Sequence, residues 1–325
     1  MDIQRTGILL FLFVAVIVYA AGQTAPAAGA KMDVDQVPIR VNVSLVNLPV
    51  SVTNLQGQFV TGLTQGNFQV YEDGQLQKIS SFEDEDIPAT VGLLVDHSGS
   101  MGAILPEVSA AGVAFAKSSN PKDELFVVDF NDIVSLQLPA AKPFTSDTRE
   151  LEKAVSEVKA EGRTALYDAI LVALHQLRSA QSERQSLIVV SDGGDNASKH
   201  KFAQVLTEAR ASKASIYTIG IFVENQADQN PGVLEKLAKT TGGQAFFPRS
   251  MNEVSSICSQ IARDIREQYT LAYSPSRPDS DGGYRKIEVK VHAASHEKLH
   301  VRTRAGYQPG PKTLPSFAAG AQGSS

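Results

Sequence analysis

Val91-Gly92-Leu93-Leu94-Val95 runs straight into Asp96-His97-Ser98-Gly99-Ser100. The apolar half is continuous rather than alternating, as expected of a strand covered on both faces, and the polar half is a turn that Gly99 allows to be tight. Similar apolar runs occupy 125–130, 186–191 and 215–222, with helical periodicities between them. Val108, Gly112 and Phe115 mark one helix; Leu151, Val155 and Val158 mark a second; Leu166, Ile170, Leu174 and Leu177 mark a third. Val254, Ile257, Cys258, Ile261 and Ile265 line the last, which places the single cysteine in the core. The pairs Asp147/Glu150 and Ser250/Glu253 have the spacing of capping boxes at the starts of the second and last helices. Strands alternating with helices in this way predict an α/β domain over 87–267, built on a doubly wound, mostly parallel sheet.

On either side the period changes to two. Val41, Val43, Leu45, Leu48, Val50, Val52, Phe68 and Val70 alternate with polar residues over 37–86, with a hairpin signal at Asp73-Gly74. Over 268–308 the same happens at Tyr269, Leu271, Tyr273, Ile287, Val289, Val291, Leu299 and Val301, broken by Pro275, Pro278 and Asp281-Gly282-Gly283. Neither flank has enough strands to be stable alone, so the two are expected to pair into a small β-sandwich into which the α/β domain is inserted.

The chain has 325 residues, 42% hydrophobic and 20% charged, which is ample for a buried core. Its net charge is −5 and it contains no basic block, which excludes the electrostatic footprint of a nucleic-acid binder. One cysteine supplies neither a disulfide nor a thiolate metal cluster. Arg5, the apolar stretch 8–21 and the small residues Ala20-Ala21-Gly22 have the layout of a secretory signal peptide over 1–22, too short to span a bilayer, which needs about 20 apolar residues. The mature protein is therefore expected to be exported, to the periplasm or beyond, with no membrane span after cleavage. A Pro/Ala-rich linker at 23–36 and a Gly/Ser/Pro/Ala tail at 309–325 complete the layout.

Ligands of open α/β sheets bind at the carboxyl ends of the strands, which is where Asp96, Ser98 and Ser100 arrive. Two further segments reach the same edge: Gly162-Arg163-Thr164, at the start of the third helix, and Ser191-Asp192-Gly193, directly after a strand. The set offers two carboxylates, Asp96 and Asp192, and three hydroxyls, Ser98, Ser100 and Thr164, with no nitrogen or sulfur. It suits a hard cation.

Asp-x-Ser-x-Ser after the first strand, followed by the distant Thr164 and Asp192, resembles the metal-ion-dependent adhesion site (MIDAS) of von Willebrand factor type A (VWA) domains over 87–266. The phrases Phe68-Gln69-Val70-Tyr71-Glu72-Asp73-Gly74 and Val301-Arg302-Thr303-Arg304-Ala305-Gly306-Tyr307 resemble the exported bacterial VWFA-related proteins. The resemblance implies that Ser98, Ser100 and Thr164 contact Mg²⁺, or Mn²⁺ or Ca²⁺, with Asp96 and Asp192 close by, often through water. It implies a metal-dependent, adhesion-type protein-binding module. Neutral hydroxyls leave the ion under-neutralised, so an Asp or Glu carboxylate from a partner protein can complete its shell. Two carboxylates alone predict weak ion affinity, roughly 10⁻⁴–10⁻³ M. The alternative is a structural or assembly subunit of the cell envelope that uses a metal-independent surface.

His97 departs from the residues common at its position; alternation turns it away from the ion, though it could shape the partner surface. Asp168, four residues after Thr164, could order a metal-bound water or make a local hydrogen bond. Asn42 and Asn196 match the glycosylation acceptor pattern, to which we assign nothing. His296-Glu297-Lys298-Leu299-His300 matches the zinc-protease string, but that chemistry needs one helix turn, whereas these residues lead into an alternating strand and no ligand follows them. Ser100 lacks the glycine of a nucleophile elbow and no phosphate loop exists, so no catalytic constellation remains.

Overall fold

The computed structural model describes residues 45–102, 104–156, 160–222, 228–277, 282–293 and 298–309. The signal peptide and linker expected over 1–36, the positions Val41, Val43 and Val158, and His296 and Glu297 of the zinc-protease string lie outside the described residues, as does the tail from 310.

In chain order the elements are β1 (Val46–Thr53), β2 (Phe68–Glu72), β3 (Gln75–Gln77) and β4 (Ile79–Glu83); β5 (Ala89–Asp96), α1 (Leu105–Ser118), β6 (Glu124–Phe130), β7 (Val134–Leu136), α2 (Thr148–Ser156), α3 (Leu166–Leu177), β8 (Arg184–Ser191), α4 (Phe202–Ala211), β9 (Ser215–Gly220), α5 (Pro231–Thr241), β10 (Ala245–Phe246) and α6 (Asn252–Arg266); then β11 (Tyr269–Tyr273), β12 (Arg285–Val291), β13 (His300–Arg302) and β14 (Gly306–Tyr307). The central sheet has the order β10-β9-β8-β5-β6-β7 and is parallel apart from the β7 edge.

All eight residues of β5 are buried, and their alternation shows why the run is apolar throughout. Ala89, Val91, Leu93 and Val95 pack with Val108 and Phe115 of α1, Leu151 of α2 and Cys258 and Ile261 of α6. Leu94 faces the other way, toward Leu166 and Ile170 of α3, Val205 of α4 and Leu237 of α5. Gly92 on that second face is obligatory, because a Cβ there would stand 2.4 Å from the Phe126 ring and 2.7 Å from Leu187. The doubly wound, mostly parallel α/β architecture is therefore as expected. Only α4 and α5 carry no stripe noted in the sequence, their apolar faces being short. At α2 the capping box is half made. Asp147 Oδ1 accepts the Arg149 N–H at 2.9 Å, while Glu150 turns to the Thr145 hydroxyl at 2.5 Å and to Lys142.

The flanks form two antiparallel four-stranded sheets, β13-β1-β11-β4 and β14-β12-β2-β3, and each mixes strands from before and after the α/β domain. Val50 stands opposite Tyr269 and Val70 opposite Val289. Asp73 and Gly74, at φ 49° and 83°, turn β2 into β3 as a two-residue hairpin with both central residues left-handed. Leu48, Val50, Val70, Leu271 and Ile287 share one core between the sheets, a β-sandwich around an inserted domain. A buried polar knot joins its two layers. Glu72 accepts from the hydroxyls of Tyr273 at 2.6 Å and Tyr307 at 3.0 Å, and from Arg285 Nη1 at 3.2 Å. Arg285 is fully buried, so its charge is balanced inside the protein rather than by water.

Removing one member of such a pair leaves the other charge buried and unpaired. Arg285→Ala is expected to lower the unfolding free energy by about 3–5 kcal/mol. The double variant Glu72→Gln/Arg285→Met should recover much of the loss, both read from urea midpoints.

Candidate metal centre

The chain leaves β5 toward β6 on one side and later returns to β8 on the other, so the ends of β5 and β8 flank the point where the strand order reverses. Loops diverge there and leave a crevice. Asp96 ends β5 with no exposure. Its Oδ2 accepts the Ser191 hydroxyl of β8 at 2.6 Å and its Oδ1 accepts the Ser98 N–H at 2.9 Å. The carboxylate thereby orients the turn that follows. Ser98 Oγ and Ser100 Oγ are 3.0 Å apart, and Ser100 Oγ lies 3.4 Å from Asp192 Oδ2.

Thr164 is brought in by two contacts between loops. Glu161 N–H donates to His97 C=O at 2.9 Å and Gly99 N–H to Gly162 C=O at 3.2 Å, which seats the segment before α3 against the Ser98–Ser100 turn. Asn196 then clasps Thr164 from the β8–α4 loop: Asn196 Oδ1 accepts the Thr164 N–H at 2.9 Å, and Thr164 C=O accepts the N–H groups of Asn196 and Ala197 at 3.0 Å each. The Thr164 hydroxyl has no hydrogen-bond partner among the described residues. Ser98, Ser100, Thr164 and Asp192 line one cavity of about 270 Å³, and Asn196 and Asp228 share its wall. Asp96 lies beneath it.

Two residues left open by the sequence have definite places. His97 is buried and its Nδ1 pairs with the Asp129 carboxylate, so it forms no part of an outward surface; burial pushes its imidazole down to about 4. Asp168 does not line the cavity. Its carboxylate accepts the N–H groups of Lys199 at 2.9 Å and His200 at 3.1 Å and meets His200 Nδ1 at 2.7 Å, pinning the loop that carries Asn196. Ser191, Asn196 and Asp228 were not singled out for the site. Ser191 could have been suspected from its place beside Asp192. Asn196, four residues after Asp192, acts through its amide on the Thr164 backbone, and Asp228 comes from the connection before α5, so neither carries a spacing signal.

The donor chemistry fits a hard cation. Adjacent ligands around Mg²⁺ stand about 2.9 Å apart when its bonds are near 2.05 Å, close to the Ser98–Ser100 separation. No cluster of three or more His, Cys, Asp or Glu side chains with metal-holding geometry occurs among the described residues.

The model of the von Willebrand factor type A domain family matches residues 91–260, more than half of the chain. The chain belongs to that family, whose domains are typically non-enzymatic interaction modules that often depend on a metal ion. An uncharacterized protein of Synechocystis sp. is 25% identical over 181 residues, 55% of this chain and 42% of its own. Inter-alpha-trypsin inhibitor heavy chain H3 of Bos taurus is 24% identical over 247 residues, 65% of this chain and 28% of its own. The chain thus spans less than half the length of these curated relatives. Among solved structures, a von Willebrand factor type A protein from Catenulispora acidiphila is similar at 13% identity and a TM-score of 0.49, covering 83% of this chain and 75% of its own. Proximal thread matrix protein 1 of the mussel byssus, with a zinc-occupied MIDAS motif, is similar at 16% identity and a TM-score of 0.49, covering 60% and 50%.

Burial raises the Asp96 carboxyl to about 6; the hydrogen bonds from Ser191 and Ser98 oppose the rise and the nearby Asp192 adds to it. A folded value above the ordinary 3.8 means that the metal-free folded chain holds this proton more tightly than the unfolded chain. The stability contributed by this group is therefore full below about pH 4 and lost as pH rises through about 6. With EDTA present, Asp96→Asn should be more stable than the parent at pH 7 by about 2 kcal/mol, with the gap closing toward pH 4. Thermal unfolding at the two pH values checks it.

Proposed function

We propose that this chain is an exported, metal-ion-dependent protein-binding module in which a divalent ion, Mg²⁺ or else Mn²⁺ or Ca²⁺, is held by Ser98, Ser100 and Thr164, with Asp96 and Asp192 close by. The observation that carries the reading is the convergence of these three hydroxyls and the Asp192 carboxylate on one cavity wall, above the buried Asp96. When bound, the ion supplies an electrophilic centre for an anionic oxygen. Ser98, Ser100 and Thr164 bring no charge, so the neutralisation comes from Asp96 and Asp192, and an Asp or Glu side chain of a partner protein supplies the remaining anionic oxygen. Asp96 acts through position as well as charge, since its two hydrogen bonds orient the Ser98 turn and anchor it to β8.

Hydrogen bonds hold the wall of the cavity around Thr164. Asn196 holds Thr164 by its backbone, which leaves the hydroxyl free to turn toward an ion, and Arg163 is engaged with Asp132 at 2.9 Å. The reading as an interaction module rather than an enzyme follows the family. Export rests on the signal-peptide layout of the first 22 residues.

Titration of the full chain with Mg²⁺ or Mn²⁺ should raise its unfolding temperature, and Ser98→Ala or Thr164→Ala should abolish the rise without lowering the melting point in EDTA. A parent protein indifferent to both ions would defeat the reading. Capture of partners from envelope extract should be lost when EDTA is added, whereas capture that survives EDTA would favour the assembly-subunit alternative.

A further inference from the structure

The residues just before α5, 228–230, are built against Asp192. Asn230 N–H donates to Asp192 C=O at 3.0 Å, and the two glycines after Asp192 make room for the approach. Gly193 has φ 79°, and a Cβ on it would stand 2.4 Å from Asn230 C=O. A Cβ on Gly194 would stand 2.7 Å from Asp228 C=O and 3.1 Å from Asp192 Oδ1, so both of those oxygens crowd the same point. This brings the side chain of Asp228 to the wall of the cavity. Its Oδ2 accepts from Asn196 Nδ2 at 3.1 Å, and Asn196 is the residue that holds Thr164. Asn196 is neutral, and no cationic partner of Asp228 occurs among the described residues. The other charge at the mouth, Arg163, is offset by Asp132.

We propose that Asp228, at the rim and not a ligand of the ion, is a third carboxylate acting on this centre through its charge, and sets the balance between the ion and the partner, strengthening the hold on the divalent ion while weakening that on the partner's carboxylate. The inference rests on the metal-site reading above and adds to it a residue outside the five donors. One negative charge acts on both ligands with opposite sign. It attracts the cation and repels the anionic oxygen that would join the cation, so the partner must outcompete a carboxylate already present at the rim. Asp228 thereby favours a partner that positions one acidic group tightly on the ion and brings no further negative charge to this rim. It also lifts ion affinity above the level expected of two carboxylates.

The test compares the full-length parent with Asp228→Asn, which keeps an acceptor for Asn196 and removes only the charge. Mn²⁺ binding is followed by water-proton relaxation, and acetate is then titrated against the Mn²⁺-loaded protein as the carboxylate probe. Asp228→Asn should bind Mn²⁺ roughly five- to tenfold more weakly and bind acetate more tightly, with its unfolding temperature in EDTA unchanged. A merely structural role for Asp228 would leave both affinities within twofold of the parent, and that result overturns the proposal, as does a loss of both affinities together. Failure of the underlying reading looks different: the parent itself would show no Mn²⁺ binding sensitive to Ser98→Ala, and the role of Asp228 would fall with it.

Discussion

A carboxylate with no access to water ends the central strand, and the neighbouring strand's Ser191 hydroxyl holds it at 2.6 Å. The arrangement around it follows. Asp96 is bonded to β8 on one side and to the Ser98 N–H on the other, so the turn after β5 has one conformation relative to the end of β8. The loop before α3 is then seated against that turn, and the loop after β8 clasps Thr164. Burial makes the charge of Asp96 unfavourable in the metal-free protein, which is why its carboxyl rises to about 6. A cation above it would relieve that strain.

The β-sandwich gives the α/β domain a frame rather than a tether. Strands from both flanks alternate within each sheet, and the buried Glu72–Arg285 pair with its two tyrosines ties β2, β11, β12 and β14 together. A second buried group joins frame to domain. Asp264 of α6 accepts the Ser51 hydroxyl of β1 at 2.6 Å and pairs with Arg302 of β13. The last helix of the α/β domain is therefore bonded to strands from before and after it, which a flexible linker could not achieve.

Much of this was legible in the chain. Continuous apolar runs marked β5, β6, β8 and β9 because both sheet faces are covered, and alternation marked β1, β2, β11 and β12 because only one face is. The stripes of α1, α3 and α6 were read correctly for the same reason. The edge strand β7 was not, since an edge strand of three residues at the surface has no pattern to display. The capping box at α2 was half right: the spacing allowed Glu150 to reach back, but Lys142 and Thr145 offered it closer partners.

The local sequence determined which donors exist and on which loops they sit: hydroxyls at 98, 100 and 164, carboxylates at 96 and 192, and a glycine at 99 for the turn between them. It could do so because strand ends and helix starts are set by short-range pattern. The tertiary structure alone decided that β5 and β8 are neighbours across the point where the strand order reverses, that Ser191 holds Asp96 beneath the cavity, and that Asn196 and Asp228 join its wall. Strand order places Ser191, the bonds to Thr164 place Asn196, and the close approach of backbone to Gly194 places Asp228, distances between segments far apart in the chain that no local periodicity encodes.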